Sequence, residues 1–210
     1  MRRIDLQNKF AKDETVIDDI IAVSNQIFTF TKRIGENYYT KEGFKDAIRI
    51  LNHNIYEVLK FWTGSTYLGK KKDPKLANSF TAFFSNLLEL IIVFKNKGIV
   101  CDLSNALYQG KIYRVLGHGE SGNNLERIEP YYSKNFVSWS KSPDILTHYF
   151  KQKLHEPITK IEATVIDGEY AIDLEALKVS KPGEREVVYP TKENAILNIS
   201  YIDRETEDNL

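Results

Sequence analysis

Ile161-Glu162-Ala163-Thr164-Val165-Ile166-Asp167-Gly168-Glu169-Tyr170-Ala171-Ile172 decides how the second half of this chain folds. Ile161, Ala163 and Val165 alternate with Glu162 and Thr164, which is the period of a strand with one buried face. Asp167-Gly168 is a turn pair, and it carries the chain into a second short run at residues 170–172. Outward from here the same short period recurs. Residues 112–116 and 135–138 precede it as β-rich runs, and residues 186–189 and 195–202 follow. One helix interrupts the set: Ser142 caps it, Pro143 opens it, and Ile145, Leu146, Tyr149 and Phe150 form its apolar face.

Before about residue 110 the period lengthens to that of helices. Val16, Ile17, Ile20, Ile21, Ile27 and Phe28 recur behind a candidate cap, Asp13. A second stripe, from Phe44 through Ala47, Ile48, Leu51, Ile55, Val58 and Leu59 to Trp62, is capped by Thr40 and stopped near Gly64. The third begins at Asp73-Pro74, carries Leu76, Phe80, Phe83, Phe84, Leu87, Leu88 and Ile91, and ends at Lys97-Gly98. The expectation is an α+β fold: a helical region at 1–98 packed on a β-rich core at 99–210, with residues 98–110 as the connection.

Composition narrows the function classes. The 210 residues are 42% hydrophobic and 28% charged, a globular balance. Lys and Arg number 29, as do Asp and Glu, so no general polyanion binder is expected, although one basic groove would suffice for nucleic acid. The single cysteine, Cys101, excludes an internal disulfide and a cysteine zinc cluster. His53, His118, His148 and His155 share no ligand spacing, so no metal is expected. Met1-Arg2-Arg3 is followed by polar residues and not by an apolar stretch, and Ser85, Asn86 and Glu89 interrupt the most apolar helix. A cytoplasmic protein with no membrane partner is the expectation.

Three short segments carry chemistry. Tyr113-Arg114 lies on a strand. Phe136-Val137-Ser138-Trp139-Ser140 is a strand running towards a helix. Glu184-Arg185-Glu186 opens the next-to-last strand after the loop 178–183. Arginine, serine-x-serine and Glu-x-Glu, in this order and on these elements, resemble the arginine-serine-glutamate class of mono-ADP-ribosyltransferases, which includes bacterial toxins and phage enzymes. Trp62-Thr63-Gly64-Ser65-Thr66-Tyr67 resembles the aromatic-Thr-Gly-x-x-Tyr stretch that often precedes the strand arginine in that class. The resemblance spans roughly residues 45–200. Two positions depart from it: Trp139 stands where threonine is usual, and Val115 where many relatives have glycine.

The resemblance implies a core of two short antiparallel-rich sheets with NAD, as substrate, in the cleft between them. It implies that Arg114 holds the pyrophosphate, a task that suits a planar, permanently charged guanidinium. Tyr113 and Ser140 join Arg114 and Ser138 in the cofactor-binding set. Glu186 is the carboxylate that stabilises the oxocarbenium-like transition state and holds the ribose, with Ser138 keeping it in place. Glu184, two residues earlier, shares its side of the strand if the segment is extended, and glutamate there accompanies transfer to arginine. The loop 178–183, with its Pro182-Gly183 turn, is the natural place for target recognition and can present Val179 or Ser180. The expected acceptor is a macromolecule, namely protein at arginine. NAD glycohydrolysis, transfer to nucleic acid, and a binding module with a decayed site are the alternatives.

Overall fold

The computed structural model describes residue 6 and residues 14–36, 41–64, 74–117, 135–144, 158–190 and 192–202. The expected caps Asp13 and Thr40, Ser65 to Tyr67, the helix at 145–150, and His118, His148 and His155 lie outside those residues. The chain divides into two compact units, Met1–Leu107 and Tyr108–Leu210.

The first unit holds three helices, α1 (Glu14–Gly35), α2 (Lys41–Gly64) and α3 (Pro74–Asn96), followed by a 3-10 turn at Asp102–Asn105. On α1 the buried apolar residues are Val16, Ile20, Val23, Ile27, Phe30 and Ile34, which follow one another in steps of four and three, with Ser24 and Thr31 buried beside them. That seam is narrower than the stripe expected from the sequence. Ile21 and Phe28 are 42% and 53% exposed, because at about 100° per residue they fall beyond the edge of the buried face that Ser24 and Thr31 mark. α3 buries Leu76, Phe80, Phe83, Phe84, Leu87, Leu90, Ile91 and Phe94. By length and composition it could cross a membrane, yet here it is a core helix of the unit. Its Asn86 amide donates to the Ser24 carbonyl (3.1 Å) and hydroxyl (2.9 Å) of α1, which fixes the register of the two helices. Gly98 ends α3 at φ +63°, and the Ile99 N–H closes back on the Phe94 carbonyl at 2.9 Å.

The second unit is built on a seven-stranded sheet: β1 (Leu107–Tyr108), β2 (Lys111–Gly117), β3 (Phe136–Ser140), β4 (Ile158–Thr164), β5 (Ala171–Asp173), β6 (Glu186–Pro190) and β7 (Ile196–Ile202). The spatial order is β1-β5-β6-β3-β2-β4-β7. The pairs β5–β6, β6–β3, β3–β2, β2–β4 and β4–β7 are all antiparallel. The fold is therefore α+β, but the strands form one sheet where two were expected. The difference turns on a single joint. β2 meets β4 along its whole length, Lys111↔Thr164 to Gly117↔Ile158, whereas β2 meets β3 at one position, Tyr113↔Ser140. A three-strand half and a four-strand half hang together at that residue pair. One face of the sheet carries a core of Ile112, Leu116, Trp139, Ile161, Ala163, Val187 and Tyr189.

Candidate active site

The sheet order lays three segments that are distant in sequence side by side, with β6, β3 and β2 as consecutive neighbours. Cross-strand partners share a face. Glu186 opposes Ser140, and Ser140 opposes Tyr113, so these three form one row across the middle of the sheet. Ser138 lies two residues from Ser140 on extended β3 and therefore projects from the same face. Its hydroxyl donates a hydrogen bond to Oε1 of Glu186. Glu186 is only 5% exposed, so this contact holds a carboxylate largely removed from water. Ser140 is buried, and its Oγ accepts the Ser142 N–H at 3.0 Å where the chain leaves the strand.

Trp139 takes the opposite face. It pairs with Val187, is 3% exposed, and donates Nε1–H to the Tyr189 carbonyl at 3.1 Å. The indole thus belongs to the core, and a large side chain there leaves the face of Ser138 and Glu186 unobstructed. Trp62, from the aromatic-Thr-Gly stretch, is likewise packed: its ring meets Phe80 and Phe84 edge-on at 4.8 and 4.9 Å.

Arg114 is buried, with 6% exposure, and its position differs from that of the other site residues. It pairs with Ile161, so its Cβ leaves the sheet on the face of Trp139 and not on that of Glu186. It also stands at the fork of the sheet. Continuing the antiparallel register past Tyr113↔Ser140 would set Arg114 opposite Trp139, but no such pair forms and the two strands part there. Tyr113, not Arg114, shares the Ser140–Glu186 row.

Glu184 also departs from expectation. β6 begins at Glu186, residues 182–184 form a turn, and Arg185 adopts φ +45°. The segment is not extended, so the two-residue alternation that would set both carboxylates on one side does not apply. A left-handed backbone at a non-glycine residue is uncommon and needs support from its surroundings. Here the Arg185 carbonyl accepts the Lys141 N–H at 3.0 Å.

The loop between β5 and β6 turns inward. Val179 and Ser180, expected to face a partner, give their N–H groups to the Leu174 carbonyl at 3.0 and 3.2 Å, which leaves Lys181, Pro182 and Gly183 as its exposed tip. Lys141, next to Ser140, anchors the loop's base. Its ammonium meets Asp173 at 2.8 Å and Glu175 at 2.7 Å, and Asp173 Oδ1 also accepts the Ala176 N–H at 3.0 Å. Burial pulls the Lys141 pKa down, but the bonds to the two carboxylates outweigh it and hold the group above the ordinary lysine value. Sequence reading missed Lys141 and Asp173, and it gave Ser180 a partner-facing place where its hydroxyl instead accepts the Glu186 N–H. The partners of Lys141 are more than thirty residues away, and only the fold reveals them.

No protein family, curated protein or solved structure matches this chain.

Proposed function

We propose that this chain is an NAD-dependent mono-ADP-ribosyltransferase whose second unit carries the reaction centre and whose acceptor is a protein arginine. The observation that carries the reading is the grip of Ser138 on Glu186, two side chains 48 residues apart on neighbouring strands and turned to one face. A buried carboxylate fixed by a hydroxyl is a preorganised negative charge. Such a charge stabilises a cation that exists only in the transition state. In the proposed reaction the bond between nicotinamide and ribose breaks, and nicotinamide leaves with the bonding pair. The ribose carbon becomes oxocarbenium-like beside Glu186. The acceptor nitrogen then bonds to that carbon and gives up one proton.

Arg114 suits the pyrophosphate because guanidinium stays charged when buried. The parting of β2 and β3 beside it supports an approach through the fork, not across the Ser140–Glu186 row. Tyr113 and Ser140 belong to the floor of that row. One observation favours a second reading, NAD glycohydrolysis with water as acceptor. The left-handed backbone at Arg185 takes Glu184 out of the strand frame in which it would assist an incoming arginine.

Glu186→Gln tests the chemistry while keeping an acceptor oxygen for Ser138. Nicotinamide release from NAD should fall by about a hundredfold or more. Release near that of the unaltered protein overturns the proposal. Mass spectrometry after incubation with labelled NAD and cell lysate identifies the acceptor. Labelled arginine supports transfer to protein, free ADP-ribose alone supports hydrolysis, and labelled RNA or DNA overturns the protein acceptor.

A further inference from the structure

The first ladder step of β6 is incomplete, and a serine completes it. The pairs Ile172↔Val188 and Asp173↔Val187 carry the register on to Leu174 opposite Glu186. The Leu174 N–H donates to the Glu186 carbonyl at 3.0 Å. In a regular antiparallel ladder the Glu186 N–H would return the bond to the Leu174 carbonyl. That carbonyl is already taken by the N–H groups of Val179 and Ser180. The displaced donor goes to the side chain: the Glu186 N–H donates to Ser180 Oγ at 3.1 Å. Ser180 therefore occupies the ladder acceptor with its backbone and replaces it with its hydroxyl.

We propose that Ser180 is a positioning residue that fixes the backbone of Glu186, so that the carboxylate meets Ser138 in one geometry. This rests on the reading of Glu186 as the carboxylate that faces the ribose. Glu186 is the first residue of its strand. On its N-terminal side lie a turn and the left-handed Arg185, whose carbonyl takes the Lys141 N–H on the β3 side, so on the β5 side the ladder runs no further in that direction. Ser138 holds the end of the side chain and Ser180 holds its root. Without the Ser180 hydroxyl, a buried N–H loses its acceptor, and the start of β6 must shift to find another. A small displacement of a charge that acts at short range on the reacting carbon is costly to rate and much less so to NAD binding.

The test compares Ser180→Ala with Ser180→Thr, both assayed well below their melting temperatures. Ser180→Ala should lower kcat for nicotinamide release by about ten- to a hundredfold with KM for NAD little changed. Ser180→Thr, which keeps the hydroxyl, should restore most of the rate. An unchanged kcat in Ser180→Ala, or an equal loss in both variants, overturns the proposal. Amide hydrogen exchange at Glu186 needs no NAD and should quicken in Ser180→Ala alone. If the unaltered protein releases no nicotinamide, the reading of Glu186 fails, and the exchange rate then decides by itself whether Ser180 holds that N–H. Unchanged exchange overturns the hold.

Discussion

Ser138 matters to Glu186 in two ways that a double-mutant cycle separates. As a hydrogen-bond donor it offsets part of the cost of burying a carboxylate, and as a fixed contact it aims that carboxylate. Ser138→Ala should therefore destabilise the protein by about 1–3 kcal/mol, read from the urea midpoint, because the partner left behind is buried. If aim is what the bond supplies, Ser138→Ala and Glu186→Gln will be strongly non-additive in nicotinamide release. Additive losses would mean that the two residues act independently. The neighbouring residues show why type alone misleads. Trp139 breaks the usual pattern of its segment yet lies on the core face, whereas Arg114 fits the pattern and leaves the sheet on the face opposite to that of Glu186. Both outcomes follow from a period of two, in which one residue of offset changes the face.

Elements were legible where one face is buried and the other polar. The alternation at 161–165 gave β4, the Asp167-Gly168 turn gave the entry to β5, and Pro74 and Gly98 marked the ends of α3. What stayed hidden depends on register between distant segments. Nothing in residues 112–116 says that β2 will touch β3 at one position only, so one forked sheet reads the same as two. Nothing in Glu184-Arg185-Glu186 announces a left-handed Arg185, because arginine has no preference for that conformation. The β5–β6 loop is the element in which these hidden features meet. Lys141 holds its base through Asp173 and Glu175, and Asp173 is largely buried. Lys141→Met should cost about 2 kcal/mol, less than a fully buried pair because Glu175 is half exposed. It should also loosen the loop, which displays Lys178 and Arg185 as trypsin sites, whereas the Lys181–Pro182 bond resists the protease. Limited digestion should nick the variant between residues 178 and 185 several-fold faster. Equal nicking would mean that the Leu174 carbonyl and Ser180 suffice to hold the loop.

At the scale of the whole molecule, each compact unit carries one of the chain's two tryptophans, Trp62 among the helices and Trp139 in the sheet. Fluorescence of a Trp62→Phe variant therefore reports the sheet unit by itself. That unit contains an ionic knot away from the Ser138–Glu186 contact. Lys192 meets both oxygens of Glu169 at 2.6 and 2.7 Å, and the Tyr189 hydroxyl donates to Glu169 at 2.6 Å while accepting the Ile166 N–H at 3.3 Å. Burial pushes the Glu169 pKa up, but the bonds from Lys192 and Tyr189 prevail and set it below the ordinary carboxylate value, while burial and the bond to Glu169 raise that of Tyr189. A carboxyl whose pKa is lowered by folding adds stability that is complete above its unfolded value, near 4.5. That stability declines as the pH drops below this value and is gone once the pH is below the folded one. Glu169→Gln removes the charge at every pH. Since Glu169 and Lys192 are each more than a third exposed, the advantage of the unaltered sheet unit at pH 7 should be under about 1 kcal/mol, a few degrees in the Trp139 melting curve. The gap should close as the pH falls below 4.5, and a gap that stays constant to pH 2 would show that Glu169 stabilises the unit by packing and not by its charge.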